Sequence, residues 1–206
     1  MIGMDLEMED WNATIFLALN APEHPAAGLV MFAVALAQWA IFLVPVLLVV
    51  LWLWGDRQSR AGLLLAFFGA ELALALNQII ALLWYHPRPF AVPVGRTLVE
   101  HVADSSFPSD HVTFLVAVGL GLLAWTRQRW AGGLVLVLAV PVAWSRLFLG
   151  VHFPLDMLGA IPIAAIGILL MMPFCEWVRW TIVPRLAEPL YRRVFALPIG
   201  RGWVRP

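Results

Sequence analysis

Three short polar strings break an otherwise apolar chain: His86-Pro87-Arg88-Pro89-Phe90, Phe107-Pro108-Ser109-Asp110-His111, and Ser145-Arg146 followed by His152 and Asp156. Their residue types suit phosphate chemistry. Arg88 and Arg146 offer planar, permanently charged forks to phosphate oxygens. Ser109, after Pro108, suits a helix N-cap, which leaves the N–H groups of Asp110 and His111 pointing out of the helix end, where anions bind. His111, in the first turn, can hand a proton to a leaving oxygen. Pro154 suits the first position of another helix, with His152 just ahead of it and Asp156 one turn in. A carboxylate there can hold one imidazole nitrogen and leave the other neutral and nucleophilic. Each group also has a plain structural use. Ser109 and Asp156 can simply cap helices, and an arginine at the end of an apolar segment can simply anchor it at an interface.

The elements that must carry these strings are membrane spans. Of 206 residues, 62% are hydrophobic and 13% charged, against about 45–50% and about 25% in soluble domains. The expected fold is an all-α, polytopic membrane bundle of five long spans, near residues 26–54, 61–84, 111–125, 131–149 and 154–174. Pro45 falls in the first span, and Pro141 is a candidate kink in the fourth. The third span is short, extended at its ends by Asp110 and Thr126. Ahead of them lies an acidic stretch, 1–25, with Asp5, Glu7, Glu9, Asp10 and Glu23 and no arginine. Within it Trp11–Asn20 is too short to span and reads as an interfacial helix. Residues 175–206 read as an Arg-rich tail, an interfacial helix followed by loose chain. The whole chain, 1–206, reads as one membrane-embedded domain with no internal repeat.

All 13 basic residues are arginine and the net charge is zero, which gives no basis for nucleic-acid binding. The single cysteine, Cys175, excludes an internal disulfide. No basic region precedes an apolar core at the N-terminus, so a cleaved signal is not expected. With five spans, Arg57, Arg60, Arg127, Arg129 and the tail arginines share one side, which the positive-inside rule makes cytoplasmic. The three polar strings share the other side with Arg88, Arg96 and Arg146. The expected location is the bacterial inner membrane, with the C-terminus cytoplasmic and the strings facing the periplasm or exterior.

In combination, Arg-Pro, then Pro-Ser-x-His, then Ser-Arg-x5-His-x3-Asp resembles the signature of the type 2 phosphatidic acid phosphatase (PAP2) superfamily, whose fold is shared with vanadium haloperoxidases. The motifs span residues 86–156. The Phe-Pro-Ser-Asp-His form with the preceding His101 and Asp104, the His-Pro-Arg-Pro-Phe form, and Leu149 to Asp156 are similar to the bacitracin-resistance type of bacterial undecaprenyl-diphosphate phosphatase. The resemblance implies His152 as nucleophile, Asp156 as its orienting partner and His111 as acid/base. It implies Arg88, Ser109, Arg146 and the backbone of Asp110 as phosphate ligands, with no cofactor and no metal. It implies a lipid phosphate or diphosphate as substrate, membrane lipids as neighbours, and recycling of a cell-wall lipid carrier. Two departures stand out. The family's first string begins with a lysine seven residues before the arginine, a position held here by Ala81. Gln78, His86 and Arg96 are candidates to replace it. Asp110 stands where many members have glycine, so its side chain should turn away or pair with an arginine.

Glu71, Asn77 and Gln78 lie in the second span, where polar groups face protein or water. An interhelical hydrogen bond is the structural use of each. His101 and Asp104, in the outer loop, fit either a loop-ordering pair or outer groups around the phosphate, and with Asp110 and His111 they are the side chains from which a metal site would be built. Alternative substrates are phosphatidylglycerol phosphate and phosphatidic acid, and transfer to another lipid is the alternative reaction. A small transporter would place its charges near the midplane, whereas here they cluster at one face.

Overall fold

The computed structural model describes residues 2–92 and 94–206, with side chains from Asp10 onward. The side chains of Asp5, Glu7 and Glu9 therefore lie outside the described residues. Every regular element among the described residues is helical: α1 (Ile2–Leu19), α2 (Ala27–Gln38), α3 (Leu43–Trp54), α4 (Arg57–Leu83), α5 (Asp110–Trp125), α6 (Arg129–Phe148) and α7 (Pro154–Leu170).

Local chemistry sets the boundaries. Asp56 caps α4 by accepting from the Ser59 amide at 2.8 Å, which is what an N-cap carboxylate does. Trp84 ends α4 just ahead of the two prolines of the first string, which cannot continue a helix. Pro154 opens α7, and the Asp156 carboxylate accepts from the Phe153 amide at 2.7 Å. Gly150 turns the chain between α6 and α7 with φ of 78°. A Cβ there would collide with the Arg96 carbonyl oxygen, so only glycine fits.

The span count differs from the sequence reading. Among the described residues three helices are long and apolar enough to cross a membrane, or up to four if the bent α2–α3 pair counts as one span. α5 has 16 residues, about 24 Å at 1.5 Å per residue, short of the usual length. It serves as the enclosed centre of the bundle, packed against α4, α6 and α7. The first span is broken rather than continuous. A 3₁₀ turn, Ala40–Phe42, separates α2 from α3 at a 40° bend. Pro45 sits in the first turn of α3, where its missing N–H costs nothing, but it cannot bond back to the preceding turn. Helices approach closely through small residues, as membrane bundles do. A Cβ on Gly167 of α7 would stand 2.6 Å from the Gly69 carbonyl oxygen of α4.

Both ends of the chain also depart from expectation. The N-terminal helix is longer than Trp11–Asn20 and is docked on the bundle. Phe16 is fully buried and meets the Phe153 ring edge-on at 5.2 Å. Asn12, one turn earlier on the same face, accepts from the Leu155 amide in the first turn of α7 at 2.9 Å. The tail is not loose. It runs as α8 (Cys175–Trp177), a π-helical stretch (Val178–Ala187), α9 (Glu188–Val194) and α10 (Ala196–Gly200). Val178 and Val183 bury against Ala61 and Leu65 of α4. Glu188 takes Arg57 at 2.8 Å, and Arg60 donates to the Arg205 and Pro206 carbonyls at 3.0 Å each.

Candidate active site

The end of α4, the start of α5, the end of α6 and the start of α7 meet at one end of the bundle, and the three polar strings meet there. His152 and Asp156 form its core. His152 Nδ1 lies 3.1 Å from Asp156 Oδ2, while His152 Nε2 lies 3.1 Å from Arg88 Nη1. These neighbours fix the tautomer: the proton is on Nδ1, donated to the carboxylate, and Nε2 keeps its lone pair. Asp156 Oδ2 also accepts from the Ser106 hydroxyl and, at 2.7 Å, from the Phe153 amide. Both side chains are almost wholly buried. Burial drives the His152 imidazole down to about 4, against the upward pull of Asp156, so it is neutral at physiological pH.

Arg88 is held from three directions. Its Nε donates to Asp104 at 2.7 Å and its Nη1 to the Val151 carbonyl at 2.8 Å. Its Nη2 reaches the Ser105 carbonyl at 3.4 Å. Arg146, from the last turn of α6, donates through Nη2 toward His101 Nε2 at 3.0 Å. Arg146 Nε and the Ser109 hydroxyl are buried with no hydrogen-bond partner among the described residues. Ser109 occupies the N-cap position of α5 without its hydroxyl bonding the helix, which leaves that hydroxyl for something else. His111 stands within electrostatic reach of Arg146, His152, His101 and Arg88. The structure thus brings Arg88, Ser109, His111, Arg146, His152 and Asp156 together, with His101 and Asp104 beside them.

The remaining candidates lie elsewhere. The Asp110 side chain pairs with no arginine. Asn77 donates to it at 2.7 Å and Gln78 at 3.3 Å, so two carboxamides of α4 hold it. Gln78 is committed there. His86 sits behind the dyad, its Nδ1 3.8 Å from Asp156 Oδ1, neither atom having a hydrogen-bond partner. His86 borders a cavity of about 210 Å³ lined also by Asn12, Val94 and Phe153. Arg96 turns outward to Glu23 at 3.2 Å. Ser145 bonds the Val142 carbonyl within its own helix. Glu71 lies on the opposite flank, in a groove between α4 and the tail. Among the described residues no three His, Cys, Asp or Glu side chains stand close enough to hold a metal ion.

Ser106 escaped the sequence reading. It is fully buried, and its amide donates to the His86 carbonyl at 2.7 Å. Its only signal was adjacency to Phe107-Pro108.

A groove leads away from the site. Asp110 and His111 open onto an apolar pocket of about 300 Å³ bounded by Ile41, Phe42, Pro45, Leu74 and Phe114. A second pocket of about 370 Å³ shares Pro45 and Phe114 and continues toward Trp52 and Tyr191. The bend between α2 and α3 contributes Ile41 and Phe42 to the wall.

Comparison with known proteins gives the family and the fold. A model of the PAP2 superfamily matches residues 60–180. The chain is 39% identical over 198 residues to the putative undecaprenyl-diphosphatase YbjG of Escherichia coli, covering 96% of this chain and 99% of that protein. It is 32% identical over 194 residues to the undecaprenyl-diphosphatase BcrC of Bacillus subtilis, covering 93% and 100%. Among solved structures, LpxE of Aquifex aeolicus superposes with a TM-score of 0.65 at 20% identity, covering 79% of this chain and 95% of that one. The PAP2 type phosphatidylglycerolphosphate phosphatase of Bacillus subtilis does so with 0.60 at 21%, covering 85% and 89%. The chain belongs to the PAP2 superfamily and is a membrane-embedded phosphatase.

Proposed function

We propose that this protein hydrolyses a long-chain lipid diphosphate, undecaprenyl diphosphate, to the lipid monophosphate and inorganic phosphate. Residues 1–206 act as one unit in the bacterial inner membrane, with the site on the non-cytoplasmic face. The observation that carries the reading is the His152–Asp156 pair, its neutral Nε2 lone pair aimed at the Arg88 guanidinium. Phosphate oxygens are stronger acceptors than an imidazole. A terminal phosphate therefore takes over the N–H groups of Arg88 and Arg146 and the Ser109 hydroxyl, and His152 Nε2 is released to attack. A P–N bond forms and the bridging P–O bond breaks, with His111 giving its proton to the departing lipid phosphate. Water then attacks the phosphohistidine, His111 takes the water's proton, and His152 leaves as neutral imidazole.

Two further features support the reading. The apolar groove beginning at His111 suits a long hydrocarbon chain beside the reacting diphosphate. The arginines at the opposite end of the bundle, Arg57, Arg60, Arg127 and those of the tail, fit a cytoplasmic face there. The test is phosphate release from purified undecaprenyl diphosphate and from phosphatidylglycerol phosphate, measured side by side without an acceptor lipid. Turnover should favour the diphosphate and vanish in His152→Ala. Preference for phosphatidylglycerol phosphate would move the substrate assignment, and turnover that persists in His152→Ala would remove the mechanism.

A further inference from the structure

The third histidine at the site, His101, has no part in the steps above, yet it faces the space where phosphate must sit. It enters from the loop between α4 and α5. Its Nε2 lies 3.0 Å from Arg146 Nη2, and its ring centroid is 6.4 Å from that of His152. Phe90 flanks the ring at 6.5 Å. Nδ1 faces the Val102 carbonyl at 3.1 Å, which places the proton on Nδ1 and leaves Nε2 accepting from Arg146. Three residues on, Asp104 clamps Arg88. One short loop segment therefore controls a neighbour of each arginine. The other candidates for an extra cationic contact are excluded by position: Gln78 is bound to Asp110, His86 lies behind the dyad, and Arg96 is paired with Glu23.

We propose that His101 is a substrate ligand, the third cationic contact for the diphosphate after Arg88 and Arg146, and that it acts in its protonated form. This rests on the phosphatase reading above and extends it. An anion seated between the arginines takes the N–H that Arg146 now gives to His101 Nε2. The imidazole then faces an oxyanion with a lone pair, which is repulsive, unless it takes up a proton and donates. The charged and titratable groups facing His101 are Arg88, Arg146, Asp104, His111 and His152. Burial, with the two arginines adding to it, holds His101 below the ordinary imidazole value, and a bound diphosphate reverses that field. Substrate binding is thus coupled to uptake of one proton, and KM rises with pH where a lysine would have kept it flat.

The test compares wild type with His101→Gln and His101→Lys in the purified full chain. Two readouts are used. The first is KM and kcat for undecaprenyl diphosphate between about pH 5.5 and about pH 8.5, spanning the imidazole range. In wild type KM should rise by up to about tenfold per pH unit across the titration of the bound imidazole. The Gln variant should show KM at least tenfold higher at the acid end, with kcat changed less than about threefold, and no pH dependence. The Lys variant should restore KM and stay flat. The second readout is binding of inorganic diphosphate by calorimetry in two buffers of different ionisation enthalpy. It should show about one proton taken up by wild type and none by either variant. That readout needs no lipid turnover, so it judges His101 even if the assigned lipid proves wrong. A Gln variant with KM within twofold of wild type, or unchanged proton uptake in the variants, overturns the inference.

Discussion

Replacing Asp156 by Asn isolates the charge at the heart of the site. Asp156 Oδ2 accepts from His152 Nδ1 at 3.1 Å, from the Phe153 amide at 2.7 Å and from Ser106. An asparagine oxygen in the same place keeps all three bonds. The amide nitrogen then takes the position of Oδ1, which has no donor and faces His86 Nδ1 at 3.8 Å. The α7 start should therefore survive, and the loss is one negative charge. That charge does little while His152 is neutral. It matters once Nε2 bonds to phosphorus and the imidazole becomes cationic. Opposite unit charges about 4 Å apart attract by about 4 kcal/mol at an effective dielectric near 20, which is about a thousandfold in rate. Because the term exists only along the reaction path, it should lower kcat and leave KM within about threefold. The assay is steady-state phosphate release by the purified variant, with thermal unfolding as the check on folding. A folded Asp156→Asn protein that keeps more than about a tenth of wild-type kcat would refute the assignment of Asp156 as the stabiliser of a cationic His152.

Other consequences are open to measurement. His152 is held to about 4 by burial, so its neutral form persists as pH falls and is lost only on passing through that value. The acid limb of kcat/KM should lie near pH 4 to 5, and an acid limb at the ordinary imidazole value of about 6.5 would contradict this. Asn12→Ala orphans the partly buried Leu155 amide, at about 1 kcal/mol, the low end of the range for an unsatisfied donor. It should lower the melting temperature by about 2–4 °C per kcal/mol, and an unchanged melting temperature would show that α1 does not support the α7 start. Leu74→Trp fills the pocket beside His111. It should raise KM for the long-chain diphosphate about tenfold while sparing a short-chain analogue, and equal effects on both would remove the groove from substrate binding.

What the residues disclosed in advance was local in origin. The third string encodes its own geometry, because Pro154 sets the helix start and three residues fix the distance from His152 to Asp156. Ser109 was legible for the same reason, as a good cap after a proline, and its hydroxyl then proved unspent on capping. Departures arose where partners are distant in sequence. Asp110 was expected to turn away or meet an arginine; it pairs with no arginine among the described residues, and the partners that hold it, Asn77 and Gln78, lie 33 and 32 residues earlier. No local pattern marks that pairing. Ser106 carries chemistry only because the loop folds it onto Asp156, 50 residues later. The docked face of α1 was hidden in a short apolar run, since Asn12 is polar yet buried. The break in the first span was signalled by Pro45, but hydropathy alone reads straight through it. The tail's arginines suggested loose chain, whereas Glu188 pairs with Arg57 of α4, and the last residues are held by Arg60 of α4 and by the Tyr191 hydroxyl, which donates to the Arg205 carbonyl.

The proposed mechanism turns on a covalent phosphate on His152. The direct measurement is rapid mixing of purified protein with undecaprenyl diphosphate labelled in its terminal phosphate, quenched in alkali because phosphohistidine survives base and not acid. Peptide mapping then locates the label. A base-stable, acid-labile label is expected on the peptide carrying His152, forming before free phosphate and absent in His152→Ala. Phosphate release with no label on that peptide at any time, in a wild-type protein turning over normally, would contradict it.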